Sequence, residues 1–503
     1  MIIFDPKKPK GVNMRYIVAL DEGTTSVRSV LFDTQTNSIQ NIEKKRFKQI
    51  FPKSGWVEHD ANVIWRKQKE TLLTLTRDIS PKDIFGICIT NQRETIVAWN
   101  KKTGRPICNA IVWQCRRTAD LCRKLAKDKN LCKTIKQKTG LLPDAYFSGT
   151  KIKWILDNIP EAKKLLNEDN LLVGTIDSYL IYRLTEGKVH ATDATNASRT
   201  MLFNINTYEW DDELLALFDI PKSILPKVLN SCEDFGTTNI LGHPIKITGV
   251  AGDQQASLFG QGCFEKGDIK NTYGTGCFIL QNIGDKPIIC SKGLLTTVAC
   301  SIDDQKVYAI EGSIFNAGST LDWFLKEFRV VRNHERINAQ IEKVGDNGGV
   351  YLVPAFTGIG APYWDMDARA IITGLSRGSS LPHICRAVYE SMAFSTYDVM
   401  KLIKKESGIA PNTLKADGGV STNDFMLGFQ ADLLDTKVVR SHKESTCLGV
   451  IYLCGLSLGV YKNLEEIKTI IKTFGEFNPT RDKNLTKKYI AGWNKAVRQC
   501  LKK

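Results

Sequence analysis

Residues 15–32, RYIVALDEGTTSVRSVLF, contain two apolar runs separated by a short polar turn. The runs 15–20 and 27–32 are typical of buried strands, and the glycine and threonines between them suit a tight turn, so the segment predicts a β-hairpin. Residues 268–280, DIKNTYGTGCFIL, follow the same plan around the turn that begins at Gly274. One such hairpin in each half of the chain predicts two similarly built domains.

Strands and helices alternate along the rest of the chain. Residues 84–90 are predicted to form a strand, and residues 150–158 and 423–434 are predicted to form helices. Alternation of this kind predicts an α/β architecture. Because 503 residues are too many for a single core, we expect two domains, residues 1–262 and residues 263–503.

The net charge of +15 raises the possibility of a nucleic-acid partner. The excess charge is carried by lysines spread along the chain, and the densest patch, residues 123–138, has no interleaved aromatic residues and no nucleic-acid motif. We therefore interpret this patch as a solvated helical face. The sequence predicts no nucleic-acid partner.

The 14 cysteines include no C-x-x-C pair, and several lie inside apolar runs. Free, reduced thiols are the simplest interpretation, and they favour a cytoplasmic location. The most apolar window, residues 447–460, is too short to span a bilayer and is predicted to be a buried helix. We therefore expect no membrane insertion.

The two predicted hairpin turns suit phosphate binding, because Gly-rich and Thr-rich turns can point several N–H groups and hydroxyls at one anion. Asp21 stands at the end of an apolar run, where a carboxylate is well placed for a hydrated Mg²⁺. An ordinary hairpin with an Asx turn remains the alternative for either segment. The P-loop and the Rossmann fingerprint are both absent from the sequence.

Polar side chains at predicted strand ends form a second group of candidates. Arg93 and Glu94 offer a donor fork beside an acceptor, which is the combination that vicinal hydroxyls need, although a surface ion pair is the alternative. Asp253 and Gln254 follow an apolar run that ends in glycine.

Nine ordered blocks between about residue 16 and about residue 459 resemble the glycerol kinases of the FGGY carbohydrate-kinase family. The blocks are ALDEGTTSVRS, TNQRETIVAW, IVWQCRRT, YFSGTKIKWILDN, GTIDSYLIYRLT, TDATNASRTMLFNI, GVAGDQQASLFGQG, NTYGTGCF and ADGGVSTNDFML. The resemblance implies two actin-like (ribonuclease H-like) ATPase domains with the active site in the cleft between them. It also implies transfer of the γ-phosphoryl group of ATP to glycerol, with Mg²⁺, and a homodimer or a higher homo-oligomer.

The resemblance also implies roles for individual residues. Asp253 is expected to be the general base, and Asp21 is expected to orient Mg²⁺ through water. The residues expected to contact glycerol are Arg93, Glu94, Trp113, Tyr146, Asp253, Gln254 and Phe278. The residues expected to contact the nucleotide are Thr24, Thr25, Ser26, Arg28, Thr275, Gly318, Asp322, Gly419 and Asn423. Asp322 departs from the family pattern, which commonly has a glutamine at this position.

Two other functions fit parts of the sequence. A kinase of another small polyol or ketose in the same family would share most of these motifs. A catalytically silent binder with the same fold would not need the acid at position 253, so the presence of Asp253 favours an enzyme.

Overall fold

The computed structural model describes residues 15–291, 293–303, 305–331, 333–365 and 367–502. The first 14 residues of the predicted domain 1–262 therefore lie outside the described residues.

The described residues form strands that are numbered here along the chain. They are β1 (Tyr16–Glu22), β2 (Ser26–Asp33), β3 (Ser38–Arg46), β4 (Glu58–His59), β5 (Ile84–Asn91), β6 (Ile96–Asn100), β7 (Ala110–Ile111), β8 (Leu171–Thr175), β9 (Ala191–Asp193), β10 (Phe203–Asn204), β11 (Glu209–Trp210), β12 (Lys227–Leu229), β13 (Asp234–Thr238), β14 (Ile245–Gly252), β15 (Ile269–Tyr273), β16 (Cys277–Gly284), β17 (Leu295–Ile302), β18 (Gln305–Ile314), β19 (Tyr351–Val353), β20 (Ile371–Thr373), β21 (Thr413–Asp417), β22 (Lys437–Arg440) and β23 (Glu476–Phe477).

The α-helices are numbered in the same way. They are α1 (Ala61–Leu75), α2 (Ala119–Leu125), α3 (Lys129–Thr139), α4 (Ser148–Asn158), α5 (Pro160–Asn167), α6 (Ile176–Leu184), α7 (Ala194–Ala197), α8 (Asp212–Leu217), α9 (Asp253–Gly260), α10 (Gly318–Trp323), α11 (His334–Ile341), α12 (Leu381–Ser407), α13 (Asp424–Leu434), α14 (Ser445–Ser457), α15 (Leu464–Ile470) and α16 (Lys483–Cys500).

The two larger sheets are built on one plan. The first has the strand order β13-β14-β5-β1-β2-β3, and the second has the order β17-β18-β16-β15-β21-β22-β23. In each sheet a hairpin (β1–β2 or β15–β16) continues into a third antiparallel strand, and two parallel strands lie on its other side. The predicted α/β class with two similarly built sheets is confirmed.

The first hairpin differs from its prediction in one respect. Asp21 and Glu22 belong to strand β1, where Asp21 pairs with Arg28 and Glu22 pairs with Val27, so the turn is shorter than predicted. The reason is that β1 also pairs with β5 along its whole length, and this second ladder keeps both acidic residues extended. Both acidic side chains are therefore buried.

The other predicted elements are present with small shifts at their ends. The strand at 84–90 gains Asn91, and the helix at 150–158 begins at Ser148. Asn423 is the N-cap of α13 rather than a helical residue. The apolar window at 447–460 forms the buried helix α14, which ends at Ser457.

No helix in the described ranges is both long enough and apolar enough to cross a membrane. The basic patch at 123–138 spans parts of α2 and α3, and its residues Lys124, Lys127, Lys129 and Lys133 are exposed.

Helices α9 and α14 pack against each other beside the first sheet. One apolar cluster joins Ile17 and Phe32 of that sheet to Ala256 of α9 and to Val450 and Cys454 of α14. On its other side, α9 places Leu258 in a small cluster with residues of the second sheet. Helix α9 is therefore part of the contact between the two sheets, and α14 completes the core of the first sheet although it comes late in the chain.

Glycines permit the close crossing of these two helices. A Cβ atom added at Gly449 of α14 would overlap the backbone carbonyl of Ala256 in α9, and one added at Gly260 would overlap the carbonyl of Ser445. No side chain fits at either position without separation of the helices.

We predict that Gly449→Ala destabilises the protein by about 1–3 kcal/mol, because the added methyl group forces the two helices apart. Gly428→Ala in α13 is the matched control, because a Cβ atom there meets nothing within 4 Å. Both changes bring the same gain in helix propensity. Thermal unfolding of the two variants checks the prediction, and equal melting temperatures would contradict it.

Candidate active site

The two hairpin turns are held by their neighbours in a way that leaves threonine hydroxyls near solvent. In the first turn, the indole Nε1 of Trp113 donates to Oγ1 of Thr24 (3.0 Å), and Thr25 is exposed. In the second turn, the carbonyl of Thr275 accepts from the backbone N–H groups of Ala317 (2.9 Å) and Ser319 (3.1 Å). Thr275 is itself exposed. Both turns therefore place a threonine where a solvent anion can reach it.

Asp253 is the first residue of α9 and directly follows β14. A Cβ atom at the preceding Gly252 would lie 2.7 Å from Cγ of Arg93, so only glycine allows the strand to end this close to the arginine. Oδ1 of Asp253 lies 3.3 Å from Nε of Arg93, and the side chain remains 32% exposed. The glycine therefore lets a partly open carboxylate stand beside a buried cation.

The environment of Asp253 raises the pKa of its carboxyl group above the ordinary value for an aspartate. Burial among protein atoms on its other sides raises the pKa of Asp253 to about 6, Arg93 opposes this rise, and Glu94 adds to it. A carboxylate with a pKa near 6 is ionised at neutral pH and is a stronger proton acceptor than an ordinary aspartate.

Arg93 and Glu94 follow β5, as the sequence indicated, but the surface-pair alternative is wrong because both side chains are only 2% exposed. Their own contact is long, with 4.0 Å between Nε of Arg93 and Oε1 of Glu94. The main partner of Arg93 is Glu311, which accepts from Nη1 (2.6 Å) and from Nη2 (3.2 Å). Glu94 has a φ of 61°, a backbone conformation that is uncommon for a non-glycine residue and is often found at functional sites.

Glu94 is held by a second buried arginine. Nε of Arg199 donates to Oε1 of Glu94 (2.6 Å), and Nη2 of Arg199 donates to Oε1 of Glu311 (3.1 Å). The sequence analysis missed Arg199 and Glu311. A charged residue inside an apolar run, as in YAIEGSI around Glu311, was the signal that could have found it.

Aromatic residues stand beside these charges. The rings of Trp113 and Tyr146 meet edge to face with centroids 5.6 Å apart. The guanidinium of Arg199 lies 5.6 Å from the Tyr146 ring centroid, and burial together with Glu94 raises the pKa of the Tyr146 hydroxyl. Phe278 comes from the second sheet, where it is half-buried opposite Thr272.

Lys270 fixes the orientation of Gln254. Its Nζ donates to Oε1 of Gln254 (2.6 Å) and to Oγ1 of Thr272 (2.9 Å), and burial lowers the pKa of Lys270 to about 8. An ammonium group can only donate, so the atom of Gln254 that faces it is the oxygen. The amide NH₂ of Gln254 is left for another partner. The sequence analysis also missed Lys270.

Arg28 and Asp21 are bonded to each other. Nη2 of Arg28 pairs with Oδ2 of Asp21, and Nη1 of Arg28 pairs with Glu444 (2.6 Å). Sγ of Cys447 also approaches Oδ2 of Asp21. Among the described residues, no group of three or more His, Cys, Asp or Glu side chains is arranged to hold a metal ion. A metal here would need water and substrate oxygens for most of its ligands.

The predicted nucleotide residues of the second half lie near the second turn and at the ends of α10 and α13. The N–H of Gly318 donates to the carbonyl of Gly274 (2.9 Å), and a Cβ atom at Gly318 would lie 2.6 Å from that oxygen. A Cβ atom at Gly419 would meet nothing within 4 Å. Asn423 uses its side chain within the protein, since Oδ1 caps α13 at Met426 (2.8 Å) and Nδ2 donates to Asn338 (2.6 Å). Asp322 is exposed on α10.

We predict that Asp253 titrates near pH 6, because burial outweighs the effect of Arg93 on its pKa. A difference titration of the wild type and Asp253→Asn should show one ionisation near pH 6 that the variant lacks. Glu390→Gln is the control, since the pKa of Glu390 is raised to about 7 and its loss should remove a different ionisation. Identical proton release by wild type and Asp253→Asn between pH 5 and pH 7 would contradict the assignment.

Two family models of the FGGY carbohydrate kinases match the chain. The N-terminal domain model matches residues 16–260, and the C-terminal domain model matches residues 269–458.

Individual relatives match over nearly their whole length. A glycerol kinase of Treponema denticola is 52% identical over 97% of this chain and 99% of that protein. The structure of Plasmodium falciparum glycerol kinase with ADP is 35% identical, covers 97% of this chain and 99% of that chain, and superposes with a TM-score of 0.92. A gluconate kinase structure from Lactobacillus acidophilus is 25% identical, covers 96% of this chain and 97% of that chain, and has a TM-score of 0.86. With both domain models matched, the chain belongs to the FGGY family of carbohydrate kinases.

Proposed function

We propose that this protein transfers the γ-phosphoryl group of ATP to glycerol, which gives sn-glycerol 3-phosphate and ADP. The observation that carries the proposal is the partly open carboxylate of Asp253 beside the buried Arg93–Glu94 pair. The 52% identity to a glycerol kinase over nearly the full length supports glycerol as the acceptor.

The polyol side of the site supplies both donors and acceptors. Glu94 accepts from one hydroxyl, because Arg199 occupies only its Oε1 atom. Arg93 donates through the N–H of Nη2 that Glu311 leaves free, and Gln254 donates through its NH₂ group. Trp113, Tyr146 and Phe278 are proposed to contact the carbon chain. Aromatic walls leave little room, which favours a short triol.

Asp253 is proposed to accept the proton of the attacking hydroxyl as the oxygen approaches the γ-phosphorus. The proton then resides on the Asp253 carboxylate, and the bond from the γ-phosphorus to the bridging oxygen of ADP breaks. Phosphoryl transfer depends mainly on alignment and charge neutralisation. The place of Asp253 at the start of α9, next to Arg93, supports this alignment.

The phosphates are proposed to lie between the two turns. Thr24, Thr25, Ser26 and Thr275 would supply N–H and hydroxyl donors. The open surface beside Gly419 would take the adenosine, with Gly318 and Asp322 on the side of α10. Because the side chain of Asn423 is already bonded, we propose that it acts by capping α13 next to the nucleotide.

Asp21 is proposed to hold Mg²⁺ through water. Arg28 and Cys447 both approach Oδ2, so Oδ1 is the atom that would accept from metal-bound water. A single carboxylate fits this ion, which keeps most of its waters and binds substrate phosphates. When bound, Mg²⁺ neutralises charge on the phosphates. Arg28 is proposed to reach the phosphates only after it exchanges one of its carboxylate partners.

Three further expectations are proposed on the family resemblance. The division of the chain at residues 262 and 263 fits the turn between α9 and β15. A cytoplasmic location fits the 14 free cysteines. A homodimer or a higher homo-oligomer remains a prediction.

A coupled assay of ADP release tests the substrate. We expect glycerol to give a higher kcat/KM than dihydroxyacetone, xylulose or gluconate. The similarity to a gluconate kinase makes gluconate the relevant competitor. Preference for a ketose or for gluconate would replace glycerol in the proposal, and ADP release that is independent of every polyol would contradict it.

We predict that Asp253→Asn lowers kcat by about 10²-fold or more, since an amide cannot accept the proton. The kcat/KM of the wild type should fall below about pH 6, because protonation of Asp253 removes the base. Glu390→Gln should keep near-normal turnover, since the partners of Glu390 are Arg386 and Asn347, which are not among the proposed site residues. Near-normal turnover by Asp253→Asn would rule out this residue as the base.

A further inference from the structure

Glu311 is a buried carboxylate of the second sheet that binds side chains from the first half of the chain. It lies on β18, where its backbone pairs with Leu280 on one side and Leu295 on the other. Its side chain is fully buried, and its carboxylate accepts from Arg93 and from Arg199. The second half of the protein thus contacts Arg93, a residue of the proposed polyol site, and Arg199, which holds another such residue, Glu94.

Glu311 takes two of the five donors of Arg93, and Gln255 and Asp253 face two others. Nη1 donates to Glu311 (2.6 Å) and to Gln255 (3.1 Å), and Nη2 donates once to Glu311 (3.2 Å). Nε faces Asp253. A guanidinium has five N–H groups in a rigid fork, so these contacts leave one N–H of Nη2 and fix its direction.

Glu311 also fixes the orientation of the Glu94 carboxylate, because it holds Arg199, which binds Glu94. Oε1 of Glu311 is shared by the two arginines, and Nε of Arg199 then holds Oε1 of Glu94. This arrangement leaves Oε2 of Glu94 as the atom for a substrate hydroxyl. The free donor of Arg93 and the free acceptor of Glu94 are therefore both set by one carboxylate.

The charges explain why this carboxylate cannot be replaced by a neutral group without consequence. Arg93 and Arg199 are buried like charges, and both of them pair with the Glu311 carboxylate, which offsets their repulsion. The arginines hold the pKa of Glu311 at about 2, so it is ionised throughout the neutral range.

We propose that Glu311 is a positioning residue for polyol recognition, which orients Arg93 directly and Glu94 through Arg199. The inference rests on the proposed function and deepens it, because it adds a residue of the opposite half of the chain to the polyol site. The ion pairs of Glu311 are with Arg93 and Arg199, and neither arginine is among the proposed nucleotide residues. Its loss should therefore affect the polyol much more than ATP.

Steady-state kinetics of Glu311→Gln test the inference. We expect the KM for glycerol to rise by about tenfold or more, a size typical of coupled contacting residues. The KM for ATP should change by less than about twofold, within the error of independent sites. Glu390→Gln is the matched control, because Glu390 is also buried and pairs with an arginine, Arg386, at 2.7 Å. A KM for glycerol that is unchanged in Glu311→Gln, or that rises as much in the control, would overturn the proposal.

A double-mutant cycle separates positioning from general loss of structure. If Glu311 acts in part through Arg93, the change Glu311→Gln should lower kcat/KM by a smaller factor in Arg93→Ala than in the wild type, and the effect that remains is the part that passes through Arg199. Fully multiplicative effects on kcat/KM would overturn the proposal. If Glu311→Gln does not fold, Glu311→Asp keeps the charge but retracts the carboxylate by one methylene, and it should raise the KM for glycerol selectively. An unchanged KM for glycerol in Glu311→Asp would then count against the proposal.

A measurement without substrate keeps this inference separate from the proposed function. Absence of wild-type turnover on glycerol would contradict the function alone. In the ligand-free protein, the Nε–H protons of Arg93 and Arg199 should exchange with solvent faster in the Glu311 variant than in the wild type, as NMR can follow. Equal exchange rates would overturn the positioning role whatever the substrate is.

Discussion

The buried ion pair between Arg93 and Glu311 constrains the relative position of the two sheets. Removing ions from water is costly unless each finds good partners. Here Arg93 is matched by Glu311, Gln255 and Asp253, and Arg199 is matched by Glu94 and Glu311. A displacement of the second sheet would take Glu311, the carboxylate that the two buried arginines share, away from both of them, so this part of the contact between the sheets has one strongly favoured arrangement. The proposed polyol site includes Arg93 and Glu94 of this arrangement.

Helix α9 connects that arrangement to the core. Its first residues, Asp253 and Gln254, contact Arg93 and Lys270, and its following turns pack against α14 and the second sheet. The close crossing with α14, which glycine permits, sets the position of the helix. A shift of the helix would move the proposed base relative to Arg93. The packing of α9 against α14 is thus coupled to the position of Asp253, the proposed base, relative to Arg93.

The proposed phosphate side of the site is built differently. The two turns lie at the ends of hairpins and carry exposed threonines, whereas Arg93 and Glu94 on the proposed polyol side are almost fully buried. The hydrogen bond from Trp113 to Thr24 joins the two sides. A polyol that moves the indole ring would therefore also move Thr24 of the first turn through this one hydrogen bond. Such a link suits a reaction that must align two substrates.

The sequence by itself determined the local features of this protein. Apolar runs that alternate with Gly-rich turns predicted both hairpins and the α/β class. Arg93, Glu94 and Asp253 stood out as polar residues at predicted strand ends, because burial of an unpaired polar group is costly. Only the tertiary structure decided the partners of these residues. Glu311 is 218 positions from Arg93, and Arg199 is 105 positions from Glu94. Local periodicity carries no information on which strand ends meet. The packing of one sheet against the other therefore decided the burial of the Arg93–Glu94 pair, and it also decided the contacts of Arg199, Lys270 and Glu311.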